Sequence, residues 1–122
     1  MKVLLDTHVL LWALADDTRL SRVHRDLIGQ GTELFVSAAT VWEIAIKRAI
    51  GKLTAPADIA QTIANVGCRP LAITWRHAEE AGGLPPHHAD PFDRLLVAQA
   101  MVEGMPLATE DRKIAAYSVE II

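Results

Sequence analysis

A chain of 122 residues, 51% apolar and 22% charged, has enough apolar material for one buried core. That composition excludes a disordered chain, and a single cysteine, Cys68, excludes an internal disulfide framework. A formal net charge of −3 excludes a protein that holds nucleic acid by bulk electrostatics alone, while leaving room for a local basic strip.

Val3-Leu4-Leu5 reads as a short strand buried on both faces. Asp6 stands where that strand should end, followed by Thr7 and an apolar run from Val9 to Ala15. Ligands in open α/β sheets bind at the carboxyl ends of strands, so Asp6 is either the cap of the next helix or the floor of a site. Lys2, the leucine run and Ala13-Leu14-Ala15 have the outline of a signal peptide, but Asp6 and His8 interrupt it. No stretch has the length of a membrane span, and a soluble cytoplasmic protein is expected.

Asp16-Asp17-Thr18 reads as a turn, and Ser21 as the cap of a polar helix through Gln30. Glu33-Leu34-Phe35-Val36 is a second strand, with Ser37 at its passage into a helix from Ala38 to Ile50. That helix carries Trp42, Ala45, Ile46, Ala49 and Ile50 on one face, which the period assigns to packing. Pro56 opens another helix to about Val66, and Pro70-Leu71-Ala72-Ile73 is a third strand. Thr74 caps a brief helix ending at Gly82-Gly83, and paired prolines make Leu84 to Ala89 a loop. A helix then runs from Asp90-Pro91-Phe92-Asp93 to Glu103, closed by Gly104. Pro106 to Thr109 is a fourth strand, Glu110-Asp111 starts a last short helix, and Val119 to Ile122 is a terminal strand. Strands alternating with helices predict βαβ units, a mostly parallel sheet and one domain over residues 1–122.

Four acids recur where strands pass into helices or in opening turns: Asp6, Glu43, Asp93 and Asp111. Each has an ordinary alternative. Glu43 can pair with Lys47 one turn on, and Asp111 can start a helix. Asp93 heads a row of Leu96, Val97, Ala100 and Met101, and a carboxylate aimed at a core needs a partner, a proton or a metal. Asp90 is the better pure cap. In a parallel sheet these acids would gather at one rim, where oxygen-only ligands suit Mg²⁺ or Mn²⁺ and phosphoryl chemistry on a nucleic acid or nucleotide. His87 and His88 lack zinc-site companions and are assigned to the loop.

Leu4-Leu5-Asp6-Thr7-His8, Ser37 to Ile44, Asp90 to Gln99 and Thr109-Glu110-Asp111 together resemble the PIN-domain ribonucleases, specifically VapC toxins of bacterial toxin–antitoxin pairs. The resemblance spans essentially the whole chain. It implies a three-layer α/β/α fold, Mg²⁺- or Mn²⁺-dependent cleavage of RNA, a homodimer and a cognate antitoxin that blocks the site. It also implies Asp6, Glu43, Asp93 and Asp111 as the catalytic and metal-holding set, supported by Thr7 and Thr109, with Asp90 able to share the third position. Lys47, Arg48 and Lys52 form a strip assigned to the RNA backbone, with Arg94 a further contact and a solvated helix face the alternative. Trp12 and Trp42 have no obvious core position and would together make a groove for an amphipathic partner helix. Two other readings stay open: a receiver-like phosphorelay domain, whose acidic pair and phosphoacceptor position are missing here, and a non-catalytic module on the same fold.

Overall fold

In a computed structural model describing residues 1–122, the branched residues of β1 (Lys2–Leu5) form the strand that the sheet is built on. The chain continues through α1 (Thr7–Leu14), α2 (Arg22–Gly29), β2 (Glu33–Ser37), α3 (Ala38–Ala49) and α4 (Ile59–Asn65). It then forms β3 (Arg69–Leu71), α5 (Trp75–Gly83), α6 (Pro91–Glu103), β4 (Leu107–Ala108) and a 3-10 turn over Arg112–Ala116. The sheet runs β3-β2-β1-β4 with every pairing parallel. Val3 lies opposite Leu34, Leu5 opposite Ala108 and Val36 opposite Pro70.

Side chains alternate across a strand, and β1 shows what that achieves. Val3 and Leu5 enter one apolar cluster with Val9, Leu10, Leu27, Ile44 and Ile63. Leu4 points the other way, among Leu96, Val97, Ala100, Leu107 and Ile114. Helices therefore cover both faces, and the expected three-layer α/β/α arrangement is present. The helix starts follow local chemistry. Ser21 Oγ accepts from the His24 N–H, and Thr74 and His77 form a reciprocal capping box. Asp90 accepts from the Phe92 and Asp93 N–H groups, with Pro91 in the first turn of α6. Gly104, at φ 66°, supplies the left-handed residue that ends α6.

Several expectations need correction. The stripe of Trp42, Ala45, Ile46, Ala49 and Ile50 faces outward, with Trp42 63% and Ile50 61% exposed. The buried face of α3 is Ala39, Thr40, Glu43 and Ile44. α4 starts at Ile59 rather than Pro56, and Asp58 before it makes no side-chain cap. The expected terminal strand contributes one bridge, Ile121 to Leu107. No helix is long and apolar enough to cross a membrane.

Candidate active site

β1 is followed by a helix on one face of the sheet, whereas β4 is preceded by α6 on the other. The two strands are neighbours, so the chain reverses its winding between them and leaves a crevice beyond their carboxyl ends. Asp6 and Thr109 sit there, one residue past β1 and β4 respectively. Asp6 caps α1 and also lines the crevice. Its Oδ1 accepts the His8 N–H at 2.8 Å and caps α1, while its Oδ2 accepts the Thr109 hydroxyl at 2.5 Å. Thr109 Oγ1 also accepts the Asp111 N–H at 3.0 Å, so one hydroxyl ties the first acid to the fourth.

Glu43 is 2% exposed, a burial that a lone carboxylate would not tolerate. Thr7 donates to its Oε1 at 2.7 Å and Lys47 Nζ to its Oε2 at 2.6 Å, and Thr7 also meets Thr40 Oγ1 at 3.1 Å. The Glu43–Lys47 pair is thus a partly buried support rather than a solvated surface pair. The hydrogen bond to Glu43 raises the Lys47 ammonium above its ordinary value, opposed by burial and reinforced by the charges of Glu43, Asp90 and Asp93.

Asp93, in the first turn of α6, is the most perturbed carboxyl. Burial pushes it from 3.8 to about 7, the charges of Asp90, Asp6 and Glu43 add to the rise, and His88 opposes it. The Asp93 stripe is buried as read from sequence at Leu96, Val97 and Ala100, whereas Met101 is 38% exposed. Asp111 moves the other way: burial would raise it, but the His88 hydrogen bond and the Lys113 N–H outweigh that and hold it low.

His88 is the site residue that sequence reasoning missed. Its Nε2 lies 2.8 Å from Asp111 Oδ2 and 3.1 Å from Asp93 Oδ2. Its Nδ1 accepts the Asp90 N–H at 3.1 Å, which assigns the ring proton to Nε2 in the neutral tautomer. His88 therefore donates to Asp111 and stands beside Asp93, leaving carboxylate oxygens as the electron-rich groups of the site. Asp93 and Asp111 each bring a carboxylate oxygen within 4.8 Å of the other and of the His88 ring nitrogen. A desolvated carboxyl, like charges around it and oxygen donors fit a hard divalent cation.

The basic residues divide. Arg94 is committed to the fold: its guanidinium donates to the carbonyls of Ala81, Leu84 and Pro85 at 3.0 Å, which removes it as an RNA contact. Arg48 is exposed, with Nε on the Ala55 carbonyl at 3.1 Å. Lys47 and Lys52 line a groove of about 660 Å³ with Thr7, His8, Trp12 and Arg19. A smaller cleft of about 350 Å³ joins Asp6 and Asp111 to the same His8, Trp12 and Arg19. Trp12 and Trp42 do not make a common groove. Trp12 neighbours His8 and Arg19, whereas Trp42 packs edge-on against Phe92 on the outward face of α3.

The sequence matches the family model described as PIN domain over residues 3–120. It is 34% identical to a Mycobacterium tuberculosis protein named Ribonuclease VapC22, across 94% of this chain and 91% of that one. Among solved structures, the fold is similar to VapBC2 from Rickettsia felis bound to a promoter DNA fragment, with TM-score 0.69 and 12% identity over 100% of this chain and 98% of that one. It is also similar to FitAcB from Neisseria gonorrhoeae, with TM-score 0.69 and 17% identity over 98% and 96%. At those identities the two structures speak to fold.

Proposed function

The chain belongs to the PIN-domain family, among its VapC ribonucleases, and we propose that it hydrolyses RNA phosphodiesters with Mg²⁺ or Mn²⁺ at the Asp6–Asp93–Asp111 crevice, as the toxin of a pair whose antitoxin covers that crevice. The observation that carries this reading is Asp93, a carboxyl held to about 7 amid Asp90, Asp6 and Glu43 beside the His88-bridged Asp111. A fold stores such repulsion mainly where a cation will relieve it.

Asp6, Asp93 and Asp111 would hold the ion. Glu43, with both oxygens engaged by Thr7 and Lys47, completes the acidic pocket from behind. When bound, a divalent ion offsets the charge on a phosphate undergoing in-line attack and makes a water more acidic. The chain's own residues prepare that arrangement. Thr109 fixes the rotation of Asp6, and His88 fixes Asp111. Lys47 stays an ammonium at the rim, and Lys52, which lines the same groove, would meet the backbone beyond it, with Arg48 reaching it from the exposed face of α3.

A partner protein fits the same reading. A further solved structure of similar fold, with TM-score 0.68 and 17% identity over 98% of this chain and 95% of that one, is described as a toxin–antitoxin complex from Klebsiella pneumoniae, and we assign this chain an antitoxin of its own. The chemistry is tested by incubating the purified protein with structured RNA in Mg²⁺, Mn²⁺ or EDTA. Cleavage should need the metal, and Asp6→Asn should slow it at least ~100-fold. Undiminished cleavage in EDTA would defeat the metal reading.

A further inference from the structure

We propose that His8, Trp12 and Arg19 form a subsite that stacks a base of single-stranded RNA next to the phosphate presented to the acidic crevice. The proposal rests on the ribonuclease reading and adds what part of the RNA this chain grips.

The two clefts meet at these three side chains. One, of about 350 Å³, opens on Asp6 and Asp111; the other, of about 660 Å³, continues to Lys47, Lys52 and Thr54. A strand running from the smaller cleft into the larger passes the three side chains that line both. The Trp12 indole is anchored at one side against the core cluster of α1, so little freedom is lost when a base meets it. His8 stands beside it with ring centroids 5.8 Å apart at 39°, and its side chain is 63% exposed. Arg19 lies over the indole ring, with Cζ 5.3 Å from its centroid, so an arriving base stacks on the guanidinium plane or displaces it from the ring. Asp17 clamps its Nε at 3.1 Å and Nη2 at 2.8 Å, leaving Nη1 for a base edge or a phosphate.

Charge alone gives this groove little hold on RNA. The whole chain is acidic, Lys47 is engaged by Glu43, and Arg19 shares its charge with Asp17. Stacking supplies what the electrostatics do not, because every base offers a π face. It also selects: a base inside a duplex has no free face, whereas an unpaired one does. An amphipathic helix suits this groove less, since Asp17, Arg19, Lys47, Lys52 and Thr54 interrupt its apolar wall.

The test is a titration of a fluorescein-labelled, mixed-sequence RNA dodecamer, single-stranded or annealed to its complement, in EDTA so that no turnover occurs. Trp12→Ala should weaken single-strand binding ~5- to 150-fold, the span measured for loss of one base–aromatic stack, and leave duplex binding at the parental level. His8→Ala, at an exposed position, should weaken it in the same direction, and Trp12→Phe should recover most of the affinity. In Mg²⁺, Trp12→Ala should raise KM for single-stranded RNA with kcat retained. Parental single-strand affinity in both alanine variants overturns the subsite. So does an equal loss for duplex, or a parent that shows no preference for the single strand or binds neither. Trp12 dependence confined to capture of a protein partner assigns the groove to that partner instead. Stacking by a parent that cleaves nothing in any metal would sink the ribonuclease reading and leave the subsite standing. A parent that cleaves, with Trp12→Ala at parental KM, would do the reverse.

Discussion

Asp93 keeps its proton to about pH 7 because burial, then Asp90 and Asp6, make its charged form costly. The folded-state value lies above the ordinary 3.8, so the contribution to stability is complete below that pH and is lost as pH rises through about 7. A displacement of this size corresponds to ~4 kcal/mol in full, and solvent screening at a half-open cleft reduces it to ~2 kcal/mol. Asp93→Asn, neutral at nearly the same shape, should flatten that fall and melt above the parent in EDTA at pH 8. With Mg²⁺ at a hundred times its dissociation constant the parent should gain about 2.7 kcal/mol and the variant little. Melting curves at pH 5 and pH 8, with EDTA or Mg²⁺, decide it; matching pH slopes in the two proteins would count against the account. Asp6, Asp93 and Asp111 are legible in sequence because each sits at a helix start and Asp93 heads an apolar row. His88 is not, since its place depends on a loop that folds its Nδ1 back onto the Asp90 N–H, a contact no spacing rule encodes.

Arg94 shows the same limit one level up. Its position beside Asp93 advertises a cation, yet its side chain runs back to join α6 to the end of α5 and the proline loop through the carbonyls of Ala81, Leu84 and Pro85. Arg94→Ala should cost about 2–3 kcal/mol, of the order of a charged hydrogen-bond donor lost from carbonyls that water partly recovers. Arg94→Lys should rescue little, because an ammonium cannot reproduce the guanidinium fork. Chemical denaturation of the three proteins measures this, and a lysine variant as stable as the parent would refute the clamp. Helix existence and order could be read from caps and breakers such as Ser21, Thr74, Asp90 and Gly104. The orientation of α3 could not. Periodicity reveals that Trp42, Ile46 and Ile50 share a stripe, but Thr7 and Lys47 allow the opposite face, with Glu43, to be the buried one.

For the whole molecule, the alternation of strands and helices sufficed to predict a parallel sheet covered on both faces. Strand order and the meeting of β1 with β4 needed the structure, because Asp6 and Thr109 lie 103 residues apart. The outward stripe of α3 is the part of the surface on which we expect a second copy to dock, in line with the expected homodimer. Ile46→Glu with Ile50→Glu should give a folded monomer by sedimentation, since both side chains are already exposed in the single chain. A dimer that survives both changes would place the interface elsewhere. The Thr109–Asp6 hydrogen bond has a consequence in time as well. Residues are added on the ribosome at ~5–20 per second, so Asp6 waits on the order of 5–20 s for Thr109 to be made. Over that interval β1, β2 and their helices can already associate, yet the acidic rim lacks its fourth arm. The growing chain therefore presents surface to a partner before it has a complete site with which to cut, and the delay is written into the connectivity of the sheet.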